Sequence, residues 1–109
     1  MSTDPTTALI AALGVEPTYS VREAAALLGR SYSWLDQGLR DNKFVLPDGT
    51  KVEPSRTPGG YRRFTLQMLE EMAACSYRCS WFSMGELKFT LGNLLRVAQR
   101  DTGRAEIPR

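Results

Sequence analysis

Two helix-start signals, at Ser20 and Ser31, stand so close together that only one short helix and a tight turn fit between them. Ser20-Val21-Arg22-Glu23 has the form of a capping box: the serine hydroxyl takes the Glu23 amide and the glutamate reaches back. Ala24, Ala25 and Leu28 follow at helical spacing and supply one inward face. Gly29 suits a left-handed exit. Ser31 then caps a second helix over 32–40, with Leu35 and Leu39 turned inward. A small Ala25 lets the two helices approach, Gly29 permits the turn, and Leu35 closes the core between them.

The texture changes after this pair. Phe44-Val45-Leu46 reads as a short strand run, Pro47-Asp48-Gly49 as a turn, and residues 50–53 alternate. Residues 54–60 read as a loop ending in Pro58-Gly59-Gly60. Residues 61–64 alternate again, with Tyr61 and Arg63 on one side and Arg62 and Phe64 on the other. The expectation is a small antiparallel β element with a flexible tip. Thr65 caps a helix over 66 to about 79, with Leu69, Met72, Ala73 and Ser76 along one face. Ser83-Met84-Gly85-Glu86 is a second capping box, with Phe82 and Leu87 placed for a hydrophobic staple. The last helix runs to about 100 on a stripe of Leu87, Leu91, Leu94, Leu95 and Ala98. Near the start, Asp4, Pro5 and Gly14 delimit a short helix over 5–13 with Leu9, Ile10 and Leu13 on one stripe. A helix that short needs a partner surface, on the body or on a second subunit; docking in cis is the favoured reading. The expected organisation is an N-terminal arm over 1–17, one domain over 18–100 and a flexible tail over 101–109.

A chain of 109 residues supplies one domain and excludes a two-domain enzyme, a TIM barrel or a full dinucleotide-binding fold. No histidine is present, which removes every mechanism needing an imidazole base or ligand. Cys75 and Cys79 are half of a structural zinc site at most, and their spacing in one helix sits at the limit for a disulfide. They read as reduced, partly buried side chains, and no metal or cofactor is expected. No paired carboxylates and no glycine-rich loop before a helix point to catalysis, so an enzyme is not expected. Residues 1–7 carry no basic leader and the apolar stretch 8–13 is too short to span a membrane, so the expectation is a cytoplasmic protein.

The two short helices and their glycine turn match the geometric unit of helix-turn-helix proteins, a match that other helical hairpins also reach by chance. The charge distribution sharpens it. The whole chain has 14 basic and 12 acidic residues, a net of +2. Between 51 and 63, however, Lys51, Arg56, Arg62 and Arg63 face the single acid Glu53, as a phosphate-tracking element requires. The bland alternative is that Arg62 and Arg63 are ordinary solvated charges. Chemistry also singles out Gln37 for bidentate contact with adenine, Ser31 and Ser33 for phosphates or bases, and Arg56 for phosphate or the minor groove.

Residues 19–29, Tyr-Ser-Val-Arg-Glu-Ala-Ala-Ala-Leu-Leu-Gly, resemble the opening helix of MerR-type winged-helix proteins. Gly60-Tyr61-Arg62-Arg63-Phe64-Thr65 resembles that family's wing strand and following cap, and residues 82–87 resemble the start of its last DNA-domain helix. The resemblance covers about 18–98. It implies a mainly α fold with a small antiparallel β wing: a winged helix-turn-helix, MerR-like DNA-binding domain without an effector domain. It also implies a helix over 32–40 in the major groove and a wing on the backbone. The residues expected to meet DNA are Arg30, Ser31, Tyr32, Ser33, Gln37, Arg40, Lys43, Lys51, Arg56, Tyr61, Arg62 and Arg63.

This sequence departs from that pattern in places. Trp34, Asp36, Gln37 and Gly38 replace the usual basic, tyrosine-rich helix; Trp34 reads as core rather than contact, and Asp36 repels phosphate unless Arg40 pairs with it. The connection over 44–60 is longer than a minimal wing. No ligand-sensing region follows the last helix, so no small-molecule effector is expected. The resulting expectation is a sequence-specific double-stranded DNA-binding protein, a small phage-type transcriptional regulator associated with the nucleoid, acting as a homodimer or a cooperative multimer. Two alternatives stand beside it: an excisionase that bends DNA to direct a recombinase, and an interaction module that targets a host protein.

Overall fold

At the head of the first described helix the Ser20 hydroxyl accepts from the Glu23 amide at 3.1 Å, and the Glu23 carboxylate accepts from the Ser20 amide at 2.8 Å. This is the capping box of α1 (Val21–Leu28) in the computed structural model, which describes residues 17–102. The expected helix over 5–13 and most of the expected tail lie outside the described residues. Gly29 closes α1 in the left-handed region at φ 71°, its amide bonded back to α1 carbonyls. Ser31 caps α2 (Tyr32–Arg40) through the Trp34 amide at 3.1 Å. Ser20→Ala removes one side of the box, and urea denaturation should read a loss of about 1 kcal/mol.

The core forms where α1 and α2 meet the rest of the chain. Ala24 and Leu35 are fully buried, with Leu28 nearly so, and Phe64, Leu69 and Met72 complete the centre. Leu39 is only partly buried against this cluster. Trp34 packs on the core as expected. Its ring meets Phe44 edge-on at 5.6 Å, stacks on Phe82 at 6.1 Å and meets Trp81 edge-on at 6.4 Å. Gly38 has a packing reason: a Cβ there would lie 2.7 Å from Phe44 Cε2. The Phe44 ring therefore rests on bare α2 backbone. Gly38→Ala should lower stability by about 1 kcal/mol, because overpacking of about 1–3 kcal/mol exceeds the helix-propensity gain of about 1 kcal/mol. A thermal melt checks this, and a rise in midpoint would contradict it.

The β structure differs in detail from the sequence expectation. Residues 44–53 make a single bridge, Val45 to Lys51, rather than a hairpin of two strands. The Leu46 and Val52 amides cross it to Thr50 O at 2.8 Å and Phe44 O at 2.9 Å, while the Val45 amide and carbonyl face the other way and meet Cys75 Sγ at 3.5 Å and Arg78 Nη2 at 2.6 Å. The strands proper are β1 (Ser55–Arg56), within the stretch read as loop, and β2 (Arg62–Arg63). They pair antiparallel, Ser55 opposite Arg63 and Arg56 opposite Arg62. The tip between them is closed by Thr57 N–H to Tyr61 O at 2.9 Å and Gly60 N–H to Thr57 O at 2.8 Å, with Gly60 at φ 87°. Beyond β2, Phe64 pairs with Tyr19 through both amides, at 2.8 and 2.9 Å.

Thr65 caps α3 (Leu66–Arg78), whose buried residues include all four expected positions, Leu69, Met72, Ala73 and Ser76. Cys75 is buried and Cys79 exposed, and both are free thiols; slight desolvation by the surrounding chain, then its neighbour Cys75, pushes the Cys79 thiol up. Ser83 and Glu86 form the second capping box, at 3.1 and 2.8 Å, before α4 (Met84–Thr102). The expected stripe of α4 is rotated. Thr90, Leu94 and Val97 face the core, whereas Leu91 is 39% and Leu95 60% exposed. Polar groups explain the rotation: Thr90 Oγ1 donates to Leu28 O at 3.4 Å and Asn93 Nδ2 to Leu27 O at 3.1 Å. They satisfy carbonyls that the end of α1 leaves open. Among the described residues, no helix is long and apolar enough to cross a membrane.

α4 also continues past the expected limit of 100. Asp101 accepts from the Tyr19 hydroxyl at 2.9 Å and from Arg100 Nε at 2.6 Å, so it belongs to the body and not to a tail. Burial first, and Asp101 next, push the Tyr19 hydroxyl from 10.0 up to about 12. A raised phenol stabilises the fold fully below its unfolded value and loses that contribution as pH rises through its folded value. Denaturation should therefore report a loss of about 1–2 kcal/mol between about pH 10 and 12, after allowance for solvent screening. Tyr19→Phe should remove this part of the pH dependence.

Candidate functional site

α2 and the β1–β2 ribbon stand side by side and leave a cleft of about 340 Å³ between them. Tyr32, Asp36 and Arg40 project from α2 at successive turns; Arg56, Gly60, Tyr61 and Arg62 come from the ribbon, and Val21 closes one end. One carboxylate ties the walls together. Asp36 Oδ1 accepts from Arg62 Nη2 at 2.6 Å, and Asp36 Oδ2 accepts from Arg40 Nε at 2.8 Å. The Arg62 hydrogen bond, followed by that of Arg40, holds the Asp36 carboxyl below the ordinary carboxylate range. A depressed carboxylate keeps the tie intact above its unfolded pKa, and the tie is lost only as pH falls through the lower folded value.

The two arginines on Asp36 are not equivalent. The Arg62 side chain is 15% exposed and Arg40 71%. Arg62 thus positions the ribbon, whereas Arg40 keeps its terminal nitrogens in water. Arg56 spends one nitrogen on Gly60 O at 3.1 Å, which stiffens the tip, and remains exposed. Tyr61 is 75% exposed beside it. Arg22 completes the setting, its guanidinium 5.3 Å over the Tyr32 ring. Sequence reasoning missed Arg22, because that contact crosses the α1–α2 turn. Four arginines therefore surround the cleft, with Asp36 the one acid among its lining residues.

The other expected residues fall into two groups. Ser31, Ser33, Gln37 and Lys43 rim a second cavity of about 560 Å³, floored by Trp34, Gly38, Phe44 and Trp81. Within it, Gln37 Nε2 donates to Asp41 at 3.1 Å, and the Ser31 hydroxyl is occupied as the α2 cap. Ser33, Gln37 and Arg40 share the exposed outer face of α2 between the two cavities. Arg30, Lys51 and Arg63 are engaged elsewhere. Arg30 donates to Trp81 O at 2.8 Å, pairs with Glu86 at 3.1 Å and lies 4.8 Å over Phe82. Lys51 is 3.8 Å from Glu53. Arg63 holds Thr18 through its hydroxyl at 3.1 Å and its carbonyl at 2.9 Å. The basic run 51–63 is thus divided, with Arg56 and Arg62 at the cleft and Lys51 and Arg63 in other contacts.

Fold and site together define a small helical domain with a two-stranded antiparallel ribbon and an arginine-rich cleft. A family model described as a domain of unknown function, DUF7229, matches residues 9–97, and the chain belongs to that family. No curated protein and no solved structure matches it.

Proposed function

We propose that this protein binds double-stranded DNA sequence-specifically as a winged helix-turn-helix, and acts as a small transcriptional regulator. The observation that carries this reading is the cleft: Arg22, Arg40, Arg56 and Arg62 converge beside an exposed α2 face bearing Ser33 and Gln37. Duplex DNA is recognised by cations on its phosphates and hydrogen-bonding groups on base edges, and both occur here on adjoining surfaces. In this reading α2 enters the major groove and the β1–β2 ribbon is the wing. Asp36 does not repel phosphate, because Arg40 and Arg62 neutralise it. The resemblance of residues 19–29 and 60–65 to MerR-type proteins adds to the proposal.

The experiment is fluorescence anisotropy with labelled duplex across a salt series. The expected result is affinity that falls as salt rises, with a slope matching about three or four phosphate contacts. A protein-binding reading has one observation in its favour, the cavity floored by Trp34, Phe44 and Trp81. Pull-down from nuclease-treated lysate separates the two, since a DNA-bridged capture disappears and a direct protein complex persists.

A further inference from the structure

An apolar groove lies between α3 and α4, away from the residues assigned to DNA. Its walls are Leu66 at the start of α3 and Leu91, Leu94 and Leu95 on α4, with Glu70 and Ala98 at its margins. Leu95 at 60% exposure and Leu91 at 39% are among the large apolar side chains most open to water. Tyr19 ties the residue just before α3 to the end of α4. Its backbone pairs with Phe64, two residues before Leu66, and its hydroxyl bonds Asp101, one turn beyond Val97. Arg63 fixes Thr18 at the same point. The described chain therefore begins near the start of α3.

We propose that the N-terminal segment over residues 5–13 packs into this groove in cis, with Leu9, Ile10 and Leu13 against Leu66, Leu91 and Leu95. As a helix the segment would be about 13 Å long, and the wall from Leu91 to Ala98 extends about 10 Å along α4. Only Gly14, Val15 and Glu16 separate the segment from Pro17, and three residues reach up to about 10 Å. So short a tether holds the segment at roughly millimolar effective concentration. A second copy is the poorer occupant: a few apolar side chains fall far short of the roughly 20–30 residues a side of a stable interface. The family model also begins at Leu9, the first residue of the apolar stripe, and so takes that stripe into the unit.

Hydrogen exchange on the full chain, with Leu95→Asp and Leu9→Asp as variants, tests the proposal. The amides of 9–13 should exchange at least roughly tenfold more slowly than a free chain, independently of protein concentration. Each variant should abolish that protection while α1 and α3 keep theirs. Both should lower the thermal midpoint, and the double variant should be no worse than either one. Leu95 is mostly exposed, so Leu95→Asp does not empty the core. Free exchange of 9–13 in the wild type would overturn the proposal, as would protection that survives Leu95→Asp. Protection that grows with protein concentration would assign the groove to a second copy and overturn it equally.

Discussion

The double substitution Arg40→Ala and Arg56→Ala should weaken duplex binding by roughly a hundredfold at low salt, about tenfold for each charge-assisted hydrogen bond removed. It should also flatten the salt dependence by about two, one for each phosphate released. Both are exposed at the cleft and neither is buried under the fold. Arg40 keeps its terminal nitrogens in water while its Nε bonds Asp36. Arg56 sits opposite Arg62 on the ribbon. The melting midpoint should barely move, since exposed ion pairs contribute little to stability. Arg62→Ala is a different experiment. It strips Asp36 of its shortest hydrogen bond and frees the ribbon from α2, so affinity should fall along with the ribbon's order. Asp36→Asn discriminates further. It removes the negative charge from the cleft but weakens the tie, so tighter binding would mean charge dominates and weaker binding would mean positioning does.

Phe64→Ala should cost about 3–5 kcal/mol, a large share of the total stability of a domain this size. Phe64 is fully buried and is the largest of the fully buried side chains among the described residues. Its backbone also receives Tyr19 through two hydrogen bonds, directly between β2 and the Thr65 cap of α3. One residue thus joins the incoming chain, the ribbon and α3. Circular dichroism with urea titration should show a much lower midpoint. Phe64→Leu, which keeps most of the volume, should lose far less. A Phe64→Ala loss below about 1 kcal/mol would mean that the core is organised elsewhere.

The helical part of this fold is legible because its signals are local. Ser20 with Glu23, Ser83 with Glu86, and the caps at Ser31 and Thr65 each act within four residues and mark the helix starts. The α4 face misleads for the opposite reason. Leu91 and Leu95 look inward by periodicity, but Thr90 and Asn93 turn the helix to reach carbonyls of α1, far away in sequence. β1 is hidden because Ser55 and Arg56 are polar and flanked by Pro54; their pairing depends on the partner strand and not on composition. Of the site, the basic character of 51–63 is readable, as is the dependence of Asp36 on a partner. The second partner, Arg62, is not, because the pair spans 26 residues. The aromatic contacts of Arg30 and Arg22 are likewise invisible, each formed only when helices pack.

The role proposed for the face formed by α2 and the ribbon is to read duplex DNA. Footprinting the protein on fragments of the genome that encodes it, at low salt and over a concentration series, tests that most directly. The expected result is a discrete protected site, absent with the Arg40→Ala and Arg56→Ala variant while its fold is kept. No protection of any sequence at low salt would contradict it.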